Sequence, residues 1–178
     1  MRLVIINGLP GVGKTTIAKP LADELKIPLI QKDSIKEYLF DTLGVRDREW
    51  SRTLGMASND FIFALCETLL SRGESVIIEN SFEAAFAKPV LQKIIEKYQP
   101  EVYEIYCSVE ASVRRQRFID RNERGERHAG HSDKDNYPDP NDIEPLEKYA
   151  PLNLGTRIDI DTSKGTVDID SLAQKIHR

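Results

Sequence analysis

The segment 8–15 constrains this chain of 178 residues more than any other part of its sequence. It reads Gly-Leu-Pro-Gly-Val-Gly-Lys-Thr, which matches the Walker A pattern G-x-x-x-x-G-K-[ST] at every fixed position. An apolar run at 3–6 precedes the segment, and a helical pattern over 16–25 follows it. That context predicts a buried strand that turns tightly into a helix, which is the setting the pattern requires.

The residue types in this segment suit phosphate. Glycines let consecutive backbone N–H groups point into one concavity, and the following helix adds the positive end of its dipole. The lysine can reach the β- and γ-phosphates of a nucleotide, and the threonine hydroxyl can ligate Mg²⁺. The alternative is a glycine-rich turn that binds nothing. The residues predicted to contact the nucleotide here are Gly8, Pro10, Gly11, Val12, Gly13, Lys14, Thr15 and Thr16.

Strand and helix patterns alternate along the rest of the chain, which predicts an α/β fold with a parallel sheet covered on both faces. The predicted strands are 3–7, 28–31, 75–79, 101–108 and 157–161, and the predicted helices are 14–25, 33–42, 53–71, 82–98, 110–122 and 169–176. The polar segment 123–154 contains four prolines and is too long for a plain connector. We therefore expect one domain, 1–178, with a lid or acceptor insertion at about 110–155.

Composition and charge narrow the class of protein. The net charge of −4 argues against bulk nucleic-acid binding, which favours a basic face, although a local basic groove stays open. Cys66 and Cys107 lie in apolar patterns and make no disulfide framework. The first strand begins almost at Met1, with no signal-peptide pattern, and no apolar stretch approaches the roughly 18 residues of a membrane span. We expect a cytoplasmic protein.

Two acids follow predicted strands. Asp33 comes after the second strand, where ligands bind in open α/β sheets, and it could take or orient the proton of an acceptor hydroxyl. It could equally cap the next helix, since Ser34 and Glu37 have capping-box spacing. Glu79 ends the third strand in the manner of a Walker B acid and could bind Mg²⁺ through water, or it could be a strand end without a ligand. Asn80 and Ser81 follow it as candidate acceptor contacts.

A basic segment precedes the last strand. Its arginines are Arg114, Arg115, Arg117, Arg121, Arg124 and Arg127. Four of them recur at steps of three and four residues, so they share a helix face if the helix continues, and a polyphosphate would relieve their repulsion. The alternative is a solvated face paired with nearby acids.

Two further features lie in loops. His128 and His131 could hold a metal but are better explained as loop histidines. The loop from Thr162, after the last strand, could frame a nucleotide base.

Together, the Walker A segment, Asp33 and the arginine-rich segment resemble the P-loop kinases, the adenylate-kinase-like group of P-loop NTPases. Within that group the chain resembles the small AAA-type ATP-binding kinases related to polynucleotide 5′-kinase and chloramphenicol phosphotransferase. The resemblance implies a three-layer fold with five parallel strands in the order 2-3-1-4-5, and ATP with Mg²⁺ as donor. It also implies that Asp33 activates the acceptor, that Arg121 and Arg124 contact the transferring phosphate, and that Arg117 and Thr162 lie near adenine. Lys36 stands where relatives often have arginine.

The leading prediction is an ATP-dependent kinase acting on a hydroxyl of a small molecule or nucleotide. Its expected catalytic residues are Lys14, Asp33, Arg121 and Arg124, and its expected metal ligands are Thr15 and Glu79. One alternative is a 5′-hydroxyl nucleic-acid kinase, which the acidic balance does not favour. Another is an ATP-binding regulatory switch without an acceptor. The sequence does not indicate the acceptor or the oligomeric state.

Overall fold

The computed structural model describes residues 1–125, 128–131 and 144–177. Its five strands pair in parallel in the order β2-β3-β1-β4-β5, which is the order that the resemblance implies. The strands are β1 (Arg2–Gly8), β2 (Leu29–Gln31), β3 (Val76–Glu79), β4 (Glu101–Ser108) and β5 (Thr156–Asp161). Because the strands are parallel, their carboxyl ends share one edge of the sheet, where ligands bind in this class of fold.

Seven helices are seen in the described ranges. They are α1 (Lys14–Leu25), α2 (Lys32–Leu43), α3 (Arg48–Leu70), α4 (Ala84–Tyr98), α5 (Ala111–Glu123), α6 (Glu144–Lys148) and α7 (Ile169–His177). Helix α3 begins at Arg48 rather than near residue 53, because the Asp47 side chain caps it by accepting from the Trp50 N–H at 2.8 Å. The short helix α6 lies inside the segment that the sequence predicts as polar connection.

The core has two halves, one on each face of the sheet. Val4 and Ile6 of β1 pack with α1 and α7, whereas Leu3 and Ile5 pack with α3 and α4. All four side chains are fully buried, and each such burial stabilises the fold by about 1.5–3 kcal/mol. The central strand is therefore held firmly from both sides, and so is the loop that follows it.

Helix α2 buries its predicted apolar side only in part. Its period predicts an apolar side made of Ile35, Leu39 and Leu43; Ile35 packs against the core, but Leu43 is 47% exposed. The buried residues are Lys36, at 8% exposure, and Phe40, at 2%. The reason is a neighbour that the helical pattern cannot reveal, the segment 128–131, which packs on Phe40.

Strand β5 forms one edge of the sheet and is mostly exposed. Three of its six residues are charged, and Arg157 pairs with Asp159 at 3.1 Å. Across the described ranges, no helix combines the length and apolar character needed to cross a bilayer.

Candidate active site

The loop between β1 and α1 is shaped by glycines that no other residue could replace without strain. Gly8 has φ of 136°, and a Cβ added there would collide with the carbonyl oxygen of Cys107 on β4. Gly13 has φ of 88° and forms the N-cap of α1. Backbone in this region favours glycine, because other side chains clash there. The result is a loop that wraps the N-terminus of α1, as a phosphate cradle requires.

Lys14, the first residue of α1, is only 7% exposed. Its Nζ donates to the carbonyl oxygens of Gly8 at 3.0 Å and Leu9 at 2.8 Å, and to Ser81 Oγ at 2.7 Å. Burial lowers the pKa of Lys14 from its ordinary value, while the carboxylates of Glu79 and Asp33 act in the opposite direction. A buried ammonium thus lies at the floor of the loop, within reach of two acids.

Glu79, at the carboxyl end of β3, is 6% exposed and faces the start of α1. Its Oε2 accepts from Thr15 Oγ1 at 3.2 Å and from Gln31 Nε2 at 2.9 Å. A hydroxyl and a carboxylate that converge in this way are hard oxygen ligands of the kind that Mg²⁺ prefers. The donor set therefore fits the expected metal. Gln31 was missed by sequence reasoning, although it ends the strand next to β3.

Asp33 lies in the first turn of α2, and its side chain is 44% exposed. Lys32 Nζ approaches its Oδ1 at 3.4 Å. The N-cap of α2 is Gln31, with no side-chain cap bond, so the capping box considered for Ser34 and Glu37 does not form. The negative charge of Asp33 is among those that oppose the lowering of the Lys14 pKa by burial.

A cavity of about 460 Å³ opens beside the N-terminal half of α1. It is lined by Gly13, Thr16, Ile17, Pro20, Arg117, Thr162, Gly165, Thr166, Val167 and Ile169. Arg117 donates two hydrogen bonds to Thr162, one to Oγ1 at 2.9 Å and one to the carbonyl oxygen at 2.7 Å. Thr162 Oγ1 in turn donates to the carbonyl oxygen of Val12 at 2.7 Å. The cavity has a size typical of ligand sites and a partly apolar lining that suits a base or ribose.

Helix α5 covers the loop. The ring of Phe118 packs so closely on Gly11 that a Cβ there would collide with it, and the Arg121 guanidinium lies 4.9 Å from the centre of that ring. Helix α5 ends at Glu123, one residue before Arg124, whose Nε donates to the Asp120 carbonyl at 3.2 Å. The predicted helix face thus holds Arg114, Arg117 and Arg121 but stops short of Arg124. Arg127 lies outside the described residues.

A buried carboxylate that the sequence did not reveal supports the loop from behind. Glu104 of β4 is fully buried and accepts from the backbone N–H groups of Leu152 and Asn153, each at 2.7 Å. Asn7 Nδ2 donates to the same carboxylate at 3.3 Å, and Asn7 Oδ1 accepts from the Phe82 N–H at 3.0 Å. This network joins β1, the segment after α6 and the loop after β3. That loop also carries Ser81, the hydrogen-bond partner of Lys14. The network's only sequence signal is an acid between the apolar and aromatic residues in the middle of β4.

The cysteines are buried free thiols on opposite sides of the sheet. Burial raises the pKa of Cys107, beneath the glycine loop, to about 12, although Lys14 opposes the shift. Burial also raises the pKa of Cys66, within α3, to about 12. Neither thiol is poised to act as a nucleophile near neutral pH.

The two histidines pair with acids of α2 rather than converging on one point. His131 Nε2 lies 3.1 Å from Glu37 Oε1, and His128 Nε2 lies 3.1 Å from Asp41 Oδ1. Within the described ranges no group of three or more histidine, cysteine, aspartate or glutamate side chains is arranged to hold a metal ion. Lys36 Nζ is buried and donates to Ser51 Oγ at 2.9 Å.

Residues 3–135 match a family model described as an AAA domain. The crystal structure of a proposed kinase from Chloroflexus aurantiacus superposes with a TM-score of 0.86. The two chains are 31% identical, over 99% of this chain and 96% of that one. Chaetomium thermophilum Kti12 in complex with ADP-AlF3 has a TM-score of 0.63 at 18% identity, over 98% of this chain and 97% of that one, and it shows the fold alone.

Among curated proteins, the cytidylate kinase of Pyrobaculum neutrophilum is 32% identical over 92 residues, which is 50% of this chain and 49% of that protein. The chain spans between 26% and 49% of the length of the curated relatives it matches. The family and the strand order expected from the sequence are thus confirmed. The chain belongs to the AAA domain family and has the fold of the P-loop kinases.

Proposed function

We propose that this protein is an ATP-dependent kinase that transfers the γ-phosphoryl group of ATP to a hydroxyl of a small molecule or nucleotide. The observation that carries the proposal is the buried ammonium of Lys14, which lies within a glycine loop and near the carboxylates of Glu79 and Asp33. A cation, a helix N-terminus and two acids at one strand edge suit a polyphosphate, its metal ion and an acceptor.

The roles follow from position. The loop amides and Lys14 hold the phosphates, while the cavity beside Arg117 and Thr162 takes the base and ribose. Thr15 and Glu79 would hold Mg²⁺, which neutralises charge on the β- and γ-phosphate oxygens when bound. The proposal treats residues 1–178 as one cytoplasmic domain whose segment at about 110–155 covers the site.

The transfer itself is a displacement at phosphorus. The acceptor oxygen forms a bond to the γ-phosphorus as the bond from that phosphorus to the β–γ bridging oxygen breaks, which leaves ADP. Asp33 accepts the proton of the acceptor hydroxyl. Arg121, held over Phe118 and thus close to the loop, and Arg124 stabilise the charge that develops on the transferring group.

The test is transfer of label from γ-labelled ATP, with Mg²⁺, to pools of nucleosides, nucleotides, sugars, aminoglycosides and 5′-hydroxyl oligonucleotides. Lys14→Ala should lower transfer by about 10²–10³-fold or more, because it removes a charge from the phosphates. Lys19→Ala is the matched control, since Lys19 is an exposed lysine of the same helix.

Label in one pool, lost in Lys14→Ala and kept in Lys19→Ala, supports the proposal and names the acceptor class. Label that appears only as inorganic phosphate, at equal rates with every pool, contradicts it. That second result favours a nucleotide-dependent switch.

A further inference from the structure

Helix α2 holds the segment 128–131 through contacts that the transfer chemistry does not use. His131 Nε2 and Glu37 Oε1 are 3.1 Å apart, and so are His128 Nε2 and Asp41 Oδ1. His131 is 7% exposed, whereas the side chain of Glu37 is 38% exposed, so the pair lies at the edge of the buried contact. We call the contact between 128–131 and the residues Glu37, Phe40 and Asp41 the histidine clasp.

Phe40 is the apolar centre of the clasp and is 2% exposed. The ring of His128 stacks on it with centroids 5.5 Å apart and an angle of 11°, and the ring of His131 meets its edge at 5.9 Å. Gly130 lies against the same ring so closely that a Cβ there would collide with it. The fit therefore requires glycine at 130 and leaves no space between the segment and the helix.

Helix α3 completes the clasp from the other side. Lys36 Nζ donates to Ser51 Oγ at 2.9 Å, and Ser51 Oγ donates to the Gly130 carbonyl at 3.2 Å. Lys36 and Ser51 are each 8% exposed. The segment 128–131 is thus fixed to two helices by polar contacts as well as by packing. Hydrogen bonds depend on direction, so these contacts fix its position relative to α2 and α3.

The clasp lies on the face of α2 that begins at Asp33. Glu37 is four residues beyond Asp33 and Asp41 is eight beyond it, so the three acids share one side of the helix. At 1.5 Å per residue, the clasp spans about 6–12 Å along the helix axis from Asp33. An acceptor whose hydroxyl reaches Asp33, and whose body extends along this face, meets the clasp within that distance.

We propose that the histidine clasp closes the far end of the acceptor crevice and thereby restricts the acceptor to a small molecule. The inference rests on the proposed kinase activity and deepens it, because it excludes acceptors that continue as a chain along α2. A free nucleoside or a monosaccharide fits between Asp33 and the clasp, whereas a 5′-hydroxyl oligonucleotide or an oligosaccharide would have to displace the clasp.

The experiment compares matched short and long acceptors, a nucleoside with a 5′-hydroxyl decanucleotide and a monosaccharide with its oligosaccharide. The variant Gly130→Ala puts a methyl group into the ring of Phe40 and detaches the segment. Ala129→Val, at the exposed neighbouring position, is the control. The wild type should prefer the short member by about 100-fold in kcat/KM, and Gly130→Ala should reduce that preference about tenfold, with Ala129→Val unchanged.

A wild type that uses the long member as well as the short one overturns the clasp proposal while leaving the kinase proposal intact. A preference that Gly130→Ala does not alter overturns it too. If Gly130→Ala fails to fold, the double variant Glu37→Gln with His131→Gln provides the same comparison, because it weakens a charge-assisted pair at nearly constant shape.

If no acceptor is labelled, the kinase proposal fails and the clasp is judged by ATP hydrolysis alone. An intact clasp keeps water from the crevice, so opening it should raise hydrolysis about threefold or more in a Lys14-dependent manner. Equal hydrolysis in Gly130→Ala and wild type overturns the closure.

Discussion

The two sides of the crevice are built from different material. On the proposed phosphate side, the backbone forms the site: glycine turns, the carbonyl oxygens of Gly8 and Leu9, and the N-terminus of α1. On the proposed acceptor side, side chains form it: Asp33 in the first turn of α2, and His128, whose ring stacks on the buried Phe40. A backbone cradle depends on a few glycines at fixed spacing, while a side-chain wall can be changed by single substitutions. The first suits a ligand common to many enzymes and the second a ligand peculiar to one.

The two sides also differ in the parts of the fold that hold them in place. The phosphate loop rests on the fully buried strand β1 and on the Asn7–Glu104 network, and it is covered by Phe118. Helix α2 rests on α3 and on the clasp, with the exposed residues 41–49 at its end. We expect damage to the Asn7–Glu104 network to affect folding and damage to Asp33 to affect turnover.

The largest effect should come from Asp33→Asn. The amide keeps the shape of the carboxylate but cannot accept the hydroxyl proton, so kcat should fall by about 10²–10⁴-fold. The Kd for ATP should stay within about twofold, because the phosphate side is untouched. Steady-state kinetics and calorimetric titration with ATP and Mg²⁺ separate the two quantities.

Asp60→Asn, at an exposed position of α3, is the control for the loss of one negative charge. An Asp33→Asn protein with unchanged kcat would remove this residue from the mechanism. A large loss of ATP affinity would instead show that the two sides are not separable.

Glu104→Gln should have a smaller effect, and it should change the free energy of unfolding rather than the rate of transfer. The amide group would face backbone N–H groups of Leu152 and Asn153 that now donate to a carboxylate, so one hydrogen bond is lost and a buried donor is left unpaired. The free energy of unfolding should fall by about 2–3 kcal/mol. Urea denaturation measures it.

Glu101→Gln, on the same strand but with a side chain that is 55% exposed, should change stability far less. Equal losses in the two variants would mean that the network contributes nothing particular to the phosphate side.

The smallest effect should be the protection of a thiol by nucleotide. Because burial raises the pKa of both Cys66 and Cys107 to about 12, alkylation at pH 8 should be on the order of 10³-fold slower than for a free cysteine. ATP with Mg²⁺ should slow Cys107 a few-fold further, since its carbonyl abuts Gly8, and leave Cys66 unchanged.

Single-thiol proteins, Cys66→Ala and Cys107→Ala, allow mass spectrometry to follow each site. Equal protection of both thiols by nucleotide would indicate that the two sides of the molecule tighten as one unit.

Much of the fold could be predicted, because buried parallel strands are continuous apolar runs and the glycine loop has fixed spacing. The start of α3 could not, since the run before residue 53 is charged and the cap by Asp47 is not evident from the helical period. The burial of Lys36 and Phe40 on α2 could not be predicted from its period, because a distant segment covers Phe40.

The candidate site divides in the same way. Lys14, Thr15 and Glu79 were expected and are found together, since strand ends in a parallel sheet meet at one edge. The roles assigned to these three residues, and those assigned to Asp33, Arg121 and Arg124, stay predictions. Gln31, Glu104 and the histidine clasp depend on pairs far apart in sequence, which a local pattern cannot indicate.

The charged edge strand β5 bears on how copies of this protein meet each other. An edge strand offers unpaired backbone groups to any second strand, and a flat apolar edge invites association. Here Arg157, Asp159 and Asp161 would have to lose water before another strand could dock. This edge of the sheet is thus protected against pairing with a second molecule, so crowding in a concentrated solution should not draw the folded chains together along it.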